Sequence, residues 1–558
     1  MSYPIKYIAR LDIETTSPLK IGTGQQDWIS DQPIYRDAFG MPAIPGTSLT
    51  GILRSRLTEL AGEEKANQLF GHQGLGNDEG EGSRVILSNA SLIGVDNRIM
   101  QTAQEYMKNR EEIEQVVSMS FIRERVRISD KGSAVDKGKF DEEVLPAGAR
   151  FRFEICLQGM AEENSDWQSL LNAFYADSFL VGGNTRSGKG QFKVIDAQTA
   201  SYDLSKADDL QAWANYPMDL NQKVDALKPF EPTTESDPNW EQINLSLKAK
   251  DFFSMGAGFG KMYSSHEIRT EDDKPFKVDS IYKKEAKFHY AQGKIDLEQK
   301  ESVLIPGTSI KGALRHRAAY HYNKLAGCFA NQLDQEQLQA ALQEEFARKK
   351  QQYMDELIEL IRKEAQVAEN RSGMKSTEYP SKVNEIRRVA KDEKVEQLLA
   401  YKKEQIEKWL AHEKGKLERK GTEENNAGIS ELFGFSRDLS PDEKERQRAG
   451  EDVKDKRKGT VVIPDVFIDA AQVKEQLFNH VKIDRFRGGA FNGALFNEMV
   501  AATEAEIPLK IQWNTTKIED ENAKEALRLA IEDLKAGRLP LGGRVNHGHG
   551  VFLATKAN

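Results

Sequence analysis

Cysteine is nearly missing: 558 residues contain only Cys156 and Cys328. One pair makes neither a disulfide framework nor a cysteine-rich metal centre. No apolar run approaches the ~18 residues that cross a bilayer, and Met1 to Ile8 carries no secretion pattern. A soluble, cytoplasmic protein with no membrane partner is expected, with several domains at ~100–200 residues each. Excess positive charge is missing too. The 79 Lys and Arg stand against 88 Asp and Glu, a net charge of -9, so the total does not announce a nucleic-acid binder and local clusters must decide. A Walker loop and a hydrolase triad signature are also lacking.

What is present is a segment written twice. Ile44-Pro45-Gly46-Thr47-Ser48-Leu49-Thr50-Gly51-Ile52-Leu53-Arg54-Ser55-Arg56 and Ile305-Pro306-Gly307-Thr308-Ser309-Ile310-Lys311-Gly312-Ala313-Leu314-Arg315-His316-Arg317 agree at nine of thirteen positions. Pro and Gly make a turn, Thr and Ser are candidate caps, and the apolar stripe predicts a helix. A helix N-terminus beside a basic pair suits phosphate.

The repetition extends along the chain. Ile5, Tyr7, Ala9, Leu11 and Ile13 alternate like one face of a half-buried strand, as do Ile243, Leu245 and Leu247. Glycine turns follow at Ile21-Gly22-Thr23-Gly24 and Met255-Gly256-Ala257-Gly258. A loop with Asp31 before Pro33-Ile34-Tyr35-Arg36 precedes the first helix; its expected counterpart is Asp279-Ser280-Ile281-Tyr282-Lys283, one residue shorter, with Asp272 and Asp273 upstream. Strands are expected at Arg84–Ile93, Ala149–Leu157, Thr460–Ile468 and Ile507–Trp513. Between them, Phe121–Ala149 and Val481–Ala502 mix basic residues and glycine; Arg123, Arg125 and Arg127, and Lys482, Arg485 and Arg487, alternate with apolar neighbours. Charge of that kind on an edge strand also blocks aggregation. Each copy ends in a glycine loop, Leu180–Gly190 or Pro540–Gly550.

These features divide the chain into 1–199, a Pro-bearing connection over 200–239, and 240–558 with an insertion at about 326–430. The insertion reads as a charged helical hairpin with a solvated or partner-binding face.

A repeated strand, glycine turn, helix and terminal glycine loop suit an α+β fold of two tandem ferredoxin-like units. The pattern resembles the RAMP superfamily of CRISPR systems, in particular guide-binding backbone subunits of type III effector complexes in the tandem form of the type III-D branch. The resemblance implies RNA-recognition-motif-like domains with β-hairpin thumbs at Phe121–Ala149 and Val481–Ala502. It implies a guide RNA, a complementary target RNA and neighbouring subunits as partners, with base pairing reading the sequence. Arg54, Arg56, Lys311, Arg315, Arg317, Arg186, Lys189 and Arg544 become phosphate-contact candidates, joined by the hairpin cations and His547. Asp31 stands where family members that cut RNA carry a required aspartate. Asp279, then Asp273 and Asp272, are candidates in the second copy. Asp31 and Asp279 would hold a divalent metal, Mg2+ by expectation. Two other readings stay open: a non-catalytic scaffold or guide-end subunit, and a guide-processing endoribonuclease using His547 or His549 as acid or base.

Overall fold

A computed structural model describes residues 3–23, 33–73, 80–118, 121–128, 134–233, 237, 239–257, 278–291, 294–296, 302–327, 426–436 and 456–557. Asp31, Asp272, Asp273, Cys328 and nearly all of the expected helical insertion lie outside these residues.

The alternating segment Ile5–Thr15 is the central strand of the front unit, antiparallel to Arg150–Gly159 on one side and Phe192–Asp203 on the other. In the rear unit Trp240–Ala249 lies likewise between Ile507–Asn514 and Phe552–Ala557. Both central strands carry an irregularity at the same place, between Asp12 and Ile13 and between Ser246 and Leu247. Ile13 and Leu247 each stand eight residues before the first residue of their glycine turns, Ile21 and Met255. A shared irregularity at a shared offset is a structural signature of duplication, since bulges are placed features of a sheet.

The front central strand is covered on both faces, not one. Tyr7, Ala9, Leu11 and Ile13 enter the main core. Ile8 packs with Tyr202 and Leu227 of the connection between the units. That connection is therefore structured, with a helix at Ala207–Ala214 and the short strand Lys228–Pro229 on the edge of the front sheet.

The duplicated segments form helices Gly46–Ala61 and Gly307–Ala326. Leu49, Leu53 and Leu57 bury one face of the first, and Ile310, Leu314 and Ala318 one face of the second; each large side chain so buried contributes about 1.5–3 kcal/mol. Thr and Ser of the motif do not cap these helices, because the N-cap positions are Pro45 and Pro306, which have no side-chain acceptor. The first amides are satisfied from afar: Gly46 N donates to Asn89 Oδ1 at 2.9 Å and Gly307 N to Asp465 Oδ1 at 2.8 Å. A Cβ on Gly46 would collide with the Leu87 carbonyl, and one on Gly307 with that of Ile463.

Three strand expectations change. Arg84–Ile93 is two short strands, Val85–Leu87 and Ala90–Leu92, interrupted where Ser88 and Asn89 turn their polar groups to neighbouring backbone. Thr460–Ile468 is a strand only from Val466 to Asp469. The second hairpin begins at Val473, not Val481, and runs Val473–Ile483 and Ala490–Thr503. The first comprises Ile122–Ile128 and Ala134–Glu143. No helix among the described residues is long and apolar enough to cross a membrane.

Candidate nucleic-acid interface

In the front unit the glycine turn, the opening of the first helix and the terminal glycine loop converge on a cleft of about 520 Å3. Gly22, Thr47, Ser48 and Gly183 line it together with Arg56 and Arg186, and the rear unit contributes Trp240 and Lys458. The shared signatures are thus neighbours in space.

The charge here is lopsided. Arg186 stacks over the Trp240 ring at 5.1 Å, and burial pushes its guanidinium down from its ordinary value. Burial, then the charges of Arg186 and Lys517, push Lys458 down. Lys311 is pushed down to about 7 by burial, then by Arg186 and Arg315. Its Nζ donates to the carbonyls of Arg186 at 2.8 Å and Val461 at 3.1 Å, which ties the rear helix to the front terminal loop. Glu59, which also lines the cleft, opposes the shifts of Arg186 and Lys458, but Arg186 still lowers both Lys311 and Lys458, a strain that an added anion would relieve.

Other predicted contacts are engaged inside the protein. Arg56, 5% exposed, pairs with Asp237 at 2.5 Å and Glu59 at 3.4 Å. Arg54 donates to Asn67 at 2.5 Å. Arg317 donates to the Arg538 carbonyl at 2.6 Å and stands 3.4 Å from Asp533, while Arg315 is half-buried.

The hairpins differ likewise along their length. Arg123 is buried between Asp465, at 2.6 Å, and Glu285, so the first hairpin grips the rear unit. Arg127 is exposed. On the second hairpin Lys482 lies over the Phe491 ring at 5.0 Å. Arg485 and Arg487 are exposed on either side of Phe486, whose side chain is 100% exposed.

A buried glutamate anchors each hairpin base. Glu142, 1% exposed, meets Lys20 at 2.9 Å, Arg125 at 2.6 Å, the Asn184 amide at 2.7 Å, and Lys189. Burial alone would raise its carboxyl, but Lys189, Arg125 and Lys20 outweigh it and hold it at about 2. Lys189, fully buried beside Arg125, is pushed down to about 7. In the rear unit Glu498, also 1% exposed, meets His480 at 2.7 Å and Arg544 at 2.9 Å. Asn184 and Arg544 share the left-handed conformation that opens each terminal loop, with φ of 54° and 57°.

Asp279 lies against the second hairpin. Its amide donates to Asn497 Oδ1 at 2.8 Å, and its Oδ2 accepts from Asn497 N at 3.0 Å. Backbone bonding also fixes its place in the repeat. Tyr35 N donates to Ile21 O as Lys283 N donates to Met255 O, and Gly22 bridges Ile34 as Gly256 bridges Tyr282. Counting back from Ile34 and Tyr282 equates position 31 with 279, so no residue is missing between the two loops.

Sequence reasoning missed Trp240, Lys458, Glu142, His480 and Glu498. Only His480 carried a local signal, because it continues the alternation of Val481-Lys482-Ile483 upstream.

A curated relative, the CRISPR system Cms endoribonuclease Csm3 of Methanocaldococcus jannaschii, is 25% identical over 254 residues, covering 42% of this chain and 90% of that protein. A chain in a cryo-EM structure of the Type III-B Cmr-beta bound to cognate target RNA is 17% identical with a TM-score of 0.25; the match covers 35% of this chain and spans 60% of that one. The profile of the RAMP superfamily matches residues 12–193 and again 291–552. Matched twice over most of its length, with the same three central strands and the same irregularity in each half, the chain belongs to the RAMP superfamily.

Proposed function

We propose that this chain is a double backbone subunit of a type III CRISPR effector complex, holding guide RNA across both units and cutting complementary target RNA. The observation that carries the reading is the cleft where the repeated signatures meet, with Arg186 and Lys458 facing one lining carboxylate, Glu59, and room for further counter-charge. A guide phosphate supplies that charge without regard to sequence. The Csm3 relative, named an endoribonuclease, supports the nuclease part.

The cutting groups in this proposal are Asp31 and Asp279, with Asp273 as competitor in the rear unit. A carboxylate fits a hard divalent cation, and Asp279 offers one held in place by Asn497. Such a cation would stabilise negative charge at the scissile phosphate. Each hairpin displaces a target base, and the kink lines up a 2′-hydroxyl with the adjacent phosphorus. Attack forms the new O–P bond and breaks the bond to the 5′-oxygen, the proton lost by the 2′-hydroxyl being balanced by the one the 5′-oxygen takes up, which leaves a cyclic phosphate and a 5′-hydroxyl; Asp31 or Asp279 orients the groups.

The test is an assembled complex carrying labelled target RNA, with and without Mg2+. Asp31→Ala and Asp279→Ala should each remove one specific cut by at least about 100-fold, the scale of losing one electrostatic group at a reacting centre. Guide binding should persist. Unchanged cleavage in both variants overturns the assignment, and loss of the rear cut only in Asp273→Ala transfers the role to Asp273.

A further inference from the structure

Where the second hairpin meets the terminal loop, a cluster of donors has no part in phosphate binding or cutting as proposed. His480 comes from the first hairpin strand, Glu498 from the second and His547 from the loop. Each offers one ligand atom, and the three atoms lie within 4.8 Å of one another. His549 stands beside them, its ring 6.4 Å from that of His547, and its buried Nδ1 makes no hydrogen bond.

The front unit shows what the same frame looks like without such donors. Strand register places Arg125 opposite Phe140, two residues before Glu142, and His480 opposite Phe496, two residues before Glu498. From Asn184 and Arg544, the loops equate Ser187 with His547 and Lys189 with His549. At the front the glutamate is met by Lys20, Arg125 and Lys189, and no imidazole stands beside it among the described residues. At the rear, imidazoles replace Arg125 and Lys189, and a third replaces Ser187.

The geometry points to a divalent transition-metal site of the zinc class, ligated by His480, Glu498 and His547, with His549 as the candidate fourth donor. Imidazole with carboxylate selects zinc-like ions over Mg2+ or Ca2+. Glu498 is well placed as a ligand, since its Oε1 faces His480 while its Oε2 accepts from Arg544 Nε at 2.9 Å, the outer support that ligating carboxylates usually have. His547 is exposed, so its ring can close on the ion without uncovering the core. The ion would join both hairpin strands to the last loop. Asn497, next to Glu498, holds Asp279, so the site would also steady the frame of the proposed rear cutting group. Metal binding is read separately from RNA cleavage, and either result stands without the other.

The experiment uses the full, untagged chain stripped by chelator and titrated with Co2+, followed by its visible absorption, with Zn2+ and Mg2+ as competitors. One Co2+ per chain should bind, be displaced by Zn2+ and not by Mg2+, and raise the thermal unfolding temperature. His480→Gln keeps a hydrogen-bonding partner for Glu498, and His547→Ala alters an exposed ring, so both should fold, as checked by circular dichroism. Each should weaken Co2+ binding by at least about 100-fold, beyond the 10–100-fold usual for an outer partner. No binding at stoichiometric Co2+, or binding that both variants leave unchanged, overturns the proposal.

Discussion

The two terminal glycine loops have the same backbone and opposite surroundings. Gly188 of the front loop sits so close to the Ile463 carbonyl of the rear unit that a Cβ would collide, whereas Gly548 of the rear loop faces open space. The front loop is a joint: Arg186 lies over Trp240, and Lys311 donates to the Arg186 carbonyl. The rear loop is a surface, with Val545, Asn546 and His547 exposed. Duplication preserved the positive φ at Asn184 and Arg544 because the turn needs it. The side chains diverged because one copy gained a permanent neighbour, and backbone geometry and side-chain chemistry have answered to different constraints.

The hairpin bases allow the strongest test of that contrast. Glu142→Gln leaves Lys20, Arg125 and Lys189 confined without their shared carboxylate. Breaking a buried ion pair on one side costs about 3–5 kcal/mol. Glu498→Gln leaves Arg544 and His480, both partly exposed to water; about 1–3 kcal/mol is expected, the cost of an unmade buried hydrogen bond. Urea unfolding of both variants should separate the two losses. Equal losses would mean that the two bases are energetically alike despite their different cations.

That contrast also marks how far the sequence could be read. The helix motif and the alternation of Ile5–Thr15 are local patterns, and each produced the expected element; Gly22 and Gly256, expected in turns, instead bridge Ile34 and Tyr282. The aspartate loops could be paired, but their register needed the bonds to Ile21 and Met255. The fate of each cation was not legible. Arg123, Arg125 and Arg127 follow one alternation, yet Arg123 ends between Glu285 and Asp465, Arg125 on Glu142, and Arg127 at an exposed position. The deciding partners stand as far as 342 residues away, and no window on the sequence contains them. The early start of the second hairpin was hidden for a related reason. Val473–His480 lies along another strand rather than over a one-sided core, so its pattern lacks clean alternation.

The joint should have its own pH dependence, of intermediate size. Lys311 and Lys189 are both held down to about 7 by burial, whereas an unfolded lysine titrates near ~10.4. Between these values the unfolded chain binds protons that the folded chain does not, so stability rises with pH across roughly 7 to 10 and is flat in these groups below 7. Lys311→Met should flatten part of this rise and lower stability by about 1–3 kcal/mol, because the Arg186 and Val461 carbonyls lose a donor. Denaturation midpoints at a series of pH values, wild type against variant, measure both effects. A rise of undiminished slope in the variant would assign it wholly to Lys189 or elsewhere.

The smallest effects belong to the exposed end of the second hairpin, where the contrast with the first can be read as salt dependence. Arg485 and Arg487 flank a fully exposed Phe486 and lie in solvent, whereas Arg123 is enclosed by two carboxylates of the rear unit. A cation already neutralised inside the protein releases no counterion from RNA when it is removed. Arg485→Ala and Arg487→Ala should each weaken RNA binding alike for every sequence and lower the slope of log affinity against log salt by about 1. Arg123→Ala should leave that slope in place and instead loosen the grip of the first hairpin on the rear unit, seen as faster proteolysis of the hairpin. If Arg123→Ala changed the slope and the two tip variants did not, the hairpins would have exchanged roles, with the first reading the RNA backbone and the second serving the fold.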